Sequence, residues 1–416
     1  MLKQILNKTF LVSAVCTILL PGCGFFGMKK YGLHGTSPVL TLENLKKQDS
    51  FKKAGIADKL DQAIGVQSDE RNGLIEALKR SMTWFENQEN AKHFSGSSFP
   101  WITFEHARTS VYAFRQCLNL KSAANIKKCV IEEFDAYKSI GSDKKGEVLF
   151  TAYYSPVFPG SRKQSEIYKY PLYKMPKDIH MDPETKQVLG RKQGNGFVPY
   201  YTRKEIEKKG LLKGTELVWM KDRFDAFTLH INGAGRVRLA EGGHINVGYT
   251  TSNGLDYTSI GKLLVADEKI PKEEISMQSI RKYFEDNPPE YDKYVLRNDR
   301  YIFFGIQDEE SWPNAWIGVK LTPWRAIATD KKVFPPAGIA LVDAHLPIGD
   351  GPSKPFVQFV LDQDTGSAIK SPGRADIYVG WGDNAGEIAG KTIETGRLFY
   401  LFLKPGRIDR WLEKIN

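Results

Sequence analysis

The sequence predicts an α+β chain, mainly β, with a helical N-terminal part ahead of a β-rich remainder. Three observations predict it. From Leu42 to Tyr137 apolar residues recur at helical spacing. From Val148 onward, runs of four to eight residues rich in Val, Ile, Tyr, Phe and Thr alternate with Gly, Pro and Asn clusters. The length of 416 residues is too great for one simple core, so two domains are expected.

The elements follow in order. Lys3 and Lys8 precede an apolar run from Phe10 to Leu20, too short to span a bilayer comfortably and suited to an export signal. Leu20-Pro21-Gly22-Cys23 ends it like a lipoprotein processing site, with Cys23 as the lipidated residue; the alternative is a plain secretory signal with an incidental Cys. Residues 24 to about 38 form a tether. Leu74, Leu78, Met82 and Phe85 then mark a helix, and Val111, Phe114, Leu118 and Leu120, less regularly, a second. Strands are expected at Leu149–Tyr154, Phe224–Ile231, Arg236–Leu239, His244–Thr250, Tyr301–Ile306, Ala340–Asp343 and Phe356–Leu361. One helix interrupts them at Ser276–Tyr283.

Composition narrows the function classes. The formal net charge of +10 suits a polyanionic partner. The basic residues are scattered and no nucleic-acid signature is present, so no nucleic acid is expected. The seven His are dispersed without zinc spacing, and no phosphate loop or serine nucleophile elbow occurs. No metal or cofactor is expected. Cys117 and Cys129 are either bridged, as an oxidising compartment permits, or two buried thiols.

Chemistry concentrates in three aspartates beside turns and small residues. Asp364 sits in Asp-Thr-Gly, Asp376 in Ala-Asp-Ile-Tyr, and Asp330 ahead of Pro335-Pro336. Carboxylates held close with little bulk around them are candidate general acids or bases. A lone Asp-Thr-Gly also matches half of an aspartic-protease site, but such a site needs two carboxylates facing each other and the residues after Asp330 are Lys-Lys. Tyr153, Tyr154 and Tyr257 lie near polar turns, where aromatic faces can take sugar rings.

Several segments together resemble the membrane-bound lytic murein transglycosylase A family. They are Thr151-Ala152-Tyr153-Tyr154-Ser155-Pro156, Tyr170-Pro171-Leu172-Tyr173, Ile231-Asn232-Gly233-Ala234-Gly235, Asn253 to Lys262, Ser276 to Arg281 and Tyr301 to Phe304. The closing three-aspartate domain matches at Ala328-Thr329-Asp330, Asp364 to Lys370 and Arg374 to Tyr378. The resemblance departs from the family at Ala152, Asn232, Ala234 and Ser367.

The resemblance implies a double-psi β-barrel domain built from both ends of the chain, with a second β-barrel domain inserted and a groove between them. The implied bounds are a signal peptide at 1–22, a tether at 23–38, the first barrel part at 39–154, the insert at 155–305 and the second barrel part at 306–416. It implies cleavage of the β-1,4 bond between N-acetylmuramic acid and N-acetylglucosamine, leaving a 1,6-anhydromuramyl end. Asp376 is implied as the catalytic acid and base, with Asp364 and Asp330 in support. Tyr153, Tyr154, Asn232, Tyr257, Gln278 and Lys370 are the candidate sugar contacts. The implied partners are glycan strands and, through Cys23, the periplasmic face of the outer membrane; a monomer is expected. A lysozyme-like hydrolase and a non-catalytic wall-binding lipoprotein are the alternative readings.

Overall fold

The structure is a computed structural model that describes residues 40–41 and 50–415, except 65–67, 95–98, 100, 184, 186, 349–350 and 367–368. The signal, the tether, Cys23 and Ser367 lie outside the described residues.

The N-terminal part is helical as expected. Helices Ser68–Glu86 and Phe104–Leu118 pack on each other and turn Leu74, Leu78, Phe85, Val111 and Phe114 inward. Thr103 caps the second through its hydroxyl. Helix Ala123–Glu133 then runs directly into strand β1, Phe134–Ser139. A disulfide joins Cys117 to Cys129 with Cα atoms 5.7 Å apart, so the alternative left open by sequence resolves to a bridge.

Twelve further strands matter here. They are β2 (Val148–Ser155), β3 (Val157–Ser161), β4 (Tyr170–Tyr173), β5 (Glu216–Met220), β6 (Ala234–Leu239), β7 (His244–Ser252) and β8 (Ile302–Gln307). After them come β9 (Ala326–Ala328), β10 (Ile339–Leu346), β11 (Lys354–Asp364), β12 (Arg374–Trp381) and β13 (Ile393–Leu403). Strands β13, β10, β11, β9, β12 and β2 pair in that order, and β2 pairs back to β13, which closes a six-stranded barrel. Closure removes edges from the barrel, and β1 pairs with β13 at Phe399–Leu403, beyond the stretch paired to β2. One apolar core joins the N-terminal helices to this barrel; Phe114 meets Phe359 of β11 at 4.9 Å between rings.

Between β2 and β9 the chain forms a second sheet in the order β8-β7-β6-β3-β5-β4, and a small three-stranded sheet at residues 179–198. It carries its own apolar clusters. The α+β class, with a closed barrel and a second sheet unit, is therefore the observed one.

One element differs from expectation. Phe224–Ile231 is not a strand but the body of a helix, Arg223–Asn232. The Asp222 carboxylate accepts from the backbone N–H groups of Phe224 and Asp225, and Gly233 ends the helix at φ 74°. Ala226 and Leu229 pack on the six-stranded sheet while Phe224, Phe227 and Ile231 pack among neighbouring helices. A helix buried on two sides shows no polar stripe, so its periodicity is hidden. Helix Met277–Asp286 is where the sequence expects it, started by a reciprocal Ser276–Ser279 capping box.

Candidate active site

Strand register builds the site. Ala328 of β9 lies opposite Asp364 of β11 on one side and opposite Asp376 of β12 on the other. Asp376 in turn lies opposite Thr151 of β2. The row Asp364, Ala328, Asp376, Thr151 thus crosses four adjacent strands. The two aspartate backbones are two strand spacings apart, about 10 Å. Only a methyl group, that of Ala328, stands between them.

Asp376 is 6% exposed. Its Oδ1 accepts from the Thr151 hydroxyl at 2.6 Å, and that hydroxyl oxygen accepts from Arg374 Nη2 at 2.9 Å. Oδ2 accepts no hydrogen bond from the described residues. One carboxyl oxygen is therefore anchored and the other is left for an incoming group. Burial pushes the Asp376 carboxyl up to about 6; Thr151 and Arg374 oppose the rise, and Asp364 adds to it.

Asp364 is held differently. Its Oδ2 accepts from the Tyr153 hydroxyl at 2.8 Å, and its Oδ1 from the backbone N–H groups of Trp316 and Thr365, each at 2.9 Å. Burial raises its proton affinity, and these three donors favour the anion. Asp330 faces elsewhere. Its Oδ1 and Oδ2 accept from the backbone N–H groups of Lys332 and Ser371, at 3.1 Å each. It ties the end of β9 to the turn before β12.

Behind the row lies a polar cluster with no signal in the sequence. Asp362, two residues before Asp364, is fully buried. It pairs with the Lys331 ammonium and accepts from the Thr329 and Tyr400 hydroxyls, each at 2.7 Å. Burial pushes the Asp362 carboxyl up and the Lys331 ammonium down, while their mutual attraction opposes both.

A groove opens beside Thr151 and Arg374. The barrel side supplies Tyr154, Gly386, Gly390 and Ile393; the second unit supplies Thr228, Asn232 and Gln278. Two of these glycines let a neighbouring side chain come close to the backbone. A Cβ at Gly386 would sit 3.0 Å from the Tyr154 ring, and one at Gly390 would sit 3.0 Å from the Gln278 amide. Among the described residues no group of three or more His, Cys, Asp or Glu could hold a metal.

Comparison with known proteins meets this geometry from outside. The family description "MltA specific insert domain" matches residues 149–305, and "3D domain" matches 325–402. Membrane-bound lytic murein transglycosylase A of Escherichia coli K12 is 31% identical over 278 residues, covering 65% of this chain and 70% of that protein. The chain belongs to the membrane-bound lytic murein transglycosylase A family. A membrane-bound lytic murein transglycosylase structure from Agrobacterium tumefaciens superposes with a TM-score of 0.67 at 25% identity, covering 87% of this chain and 98% of that one. A lytic transglycosylase structure from Burkholderia pseudomallei gives 0.53 at 29% identity, covering 80% and 90%.

In this family member, then, the residues singled out by sequence divide into three sets. Asp376, Asp364 and Tyr153 are brought together, and Tyr154, Asn232 and Gln278 line the groove. Tyr257 is not among the lining residues; it packs against the helical cluster around Phe227 and Ile260. Lys370 is exposed on the loop before β12. Thr151, which donates to Asp376, and Arg374, which donates to Thr151, lie inside the motifs without a chemical signal of their own. Thr151 is placed by register, opposite Asp376 on the neighbouring strand, and Arg374 by alternation, two residues before Asp376 on the same strand.

Proposed function

We propose that this chain is a lytic transglycosylase that cleaves the β-1,4 bond between N-acetylmuramic acid and N-acetylglucosamine in peptidoglycan, with Asp376 as sole acid and base. The observation that carries this is the state of Asp376: a buried carboxyl with one oxygen anchored, the other with no donor among the described residues, and a proton affinity raised toward neutrality. A protonated Asp376 donates to the departing glycosidic oxygen as the bond to C1 breaks. Its carboxylate then removes the proton from the sugar's own C6 hydroxyl as that oxygen bonds C1. The 1,6-anhydro ring forms and the acid is regenerated, so no water is consumed. Attack from within the same sugar has a high effective molarity, which removes the need for a second carboxylate to activate water. Asp364, whose carboxylate oxygens accept from Tyr153 and two backbone donors, supports positive charge developing at C1.

The same proposal takes in the unit bounds at 154/155 and 305/306, lipidation at Cys23 and residence on the periplasmic face of the outer membrane. The E. coli relative is named membrane-bound, while no helix among the described residues is long and apolar enough to cross a membrane. An anchor outside the fold fits both facts.

Masses of the soluble products from purified protein and murein sacculi test the reaction class. The transglycosylase reading expects muropeptides lighter by one water than reducing-end products. Reducing ends alone identify a hydrolase. Binding without release of fragments identifies a wall-binding protein.

A further inference from the structure

Strand β12 carries more than its aspartate. Arg374, Asp376 and Tyr378 share one face, and Asp376 and Tyr378 stand opposite Thr151 and Tyr153 of β2. The next pairing is Trp381 with Ser155: three residues of β12 are spent against two of β2. That extra residue is a bulge, made with Gly380 at φ 117°, a conformation that favours glycine. Without it Gly380 would face Ser155 and Trp381 would point to the opposite side of the sheet. The bulge turns the Trp381 indole onto the face that bears Asp376.

The indole is also built in from behind. Trp381 is 49% exposed, yet its ring lies 6.4 Å from that of buried Trp312. The Arg236 guanidinium sits 4.1 Å from the Trp312 ring. Arg236 is fixed in turn by both oxygens of Glu309, at 2.6 and 2.7 Å, and by Asn246 Oδ1 at 2.9 Å. Trp381 is the residue before helix Gly382–Lys391, whose Gly386, Ala389 and Gly390 line the groove. A large, half-exposed apolar ring therefore stands in the chain between the Asp376 strand and the groove-lining helix, tilted at 57° against a buried neighbour that is itself held in place.

We propose that Trp381 is a sugar-stacking subsite, which takes the apolar face of an N-acetylated pyranose several residues along the strand from the bond cut at Asp376. This rests on the glycan-cleaving reading above. Stacking at a fixed distance from the acid would set the register in which a glycan strand meets Asp376.

Isothermal titration with a β-1,4-linked N-acetylglucosamine hexamer tests it, using the Asp376→Asn protein as parent so that no cleavage intervenes. Adding Trp381→Ala is expected to weaken binding about tenfold, and Trp381→Phe to recover most of the loss. Equal affinity in the parent and the Trp381→Ala protein overturns the subsite. A parent that binds no hexamer overturns the subsite together with the glycan-binding reading, so the two failures are distinguishable. Tryptophan emission supplies a second measure. The hexamer should change it in the parent and much less in Trp381→Phe, and an undiminished change in that variant contradicts the proposal.

Discussion

Asp376 owes its proton affinity to a balance that single substitutions can move. Burial raises it, while the Thr151 hydroxyl and the Arg374 charge hold the rise to about 6. The acid form is the one needed for the first step, so kcat/KM should fall as pH climbs through about 6, approaching tenfold per pH unit. Thr151→Val removes a donor to the anion. A hydrogen bond to a charged group contributes about 1.5–3 kcal/mol, so the falling limb should move up by about one to two units. A pH–rate profile of the two proteins checks this, and a limb that stays in place detaches it from Asp376. Asp376 and Asp364 were legible at this scale because turn residues and small neighbours flank them. Lys331 and Asp362 were not. A lysine and an aspartate thirty-one positions apart read as surface charges until β9 and β11 bring them together.

Elements place these residues, and one element shows how placement is encoded. Helix Arg223–Asn232 brings Thr228 and Asn232 to the groove. Asp222 both caps it and meets Arg281 at 3.3 Å. Asp222→Ala should cost about 1 kcal/mol from the cap alone, read as a lower denaturation midpoint. It should also raise KM more than it lowers kcat, because groove contacts shift while Asp376 stays on its strand. An unchanged KM would show that the helix end does not position the groove. The sequence misleads at Phe224–Ile231 because β-favouring Phe, Thr and Ile crowd a segment buried on two sides. Asp222 and Gly233, which flank the ten-residue helix, were the readable cap signals. The strands from Arg236–Leu239 to Phe356–Leu361 were readable as short runs rich in β-branched and aromatic residues bounded by turn residues; alternation survives in Arg236–Leu239, whereas Ala340–Asp343 is buried throughout.

At the scale of the molecule, barrel closure ties the two ends of the chain into one core. β2 pairs with both β12 and β13, although the whole second unit intervenes between β2 and the last five strands. No local pattern announces pairings of such sequence separation; only the order of many motifs did, through the resemblance. The Cys117–Cys129 bridge staples the helices that cover the barrel across a separation of 12 residues. Replacing both cysteines by serine should lower stability by about 3 kcal/mol in the loop-entropy picture, seen in urea melts. It should leave the pH–rate profile unmoved, since the bridge touches none of the row from Asp364 to Thr151. The most direct test of the account as a whole is release of soluble fragments from murein sacculi by the Asp376→Asn protein beside the unaltered one. The asparagine keeps the side chain's shape and removes a buried ionisable group, so the fold should persist and release should fall to background. Full release by that variant would contradict the central claim that this one carboxyl supplies and recovers the proton.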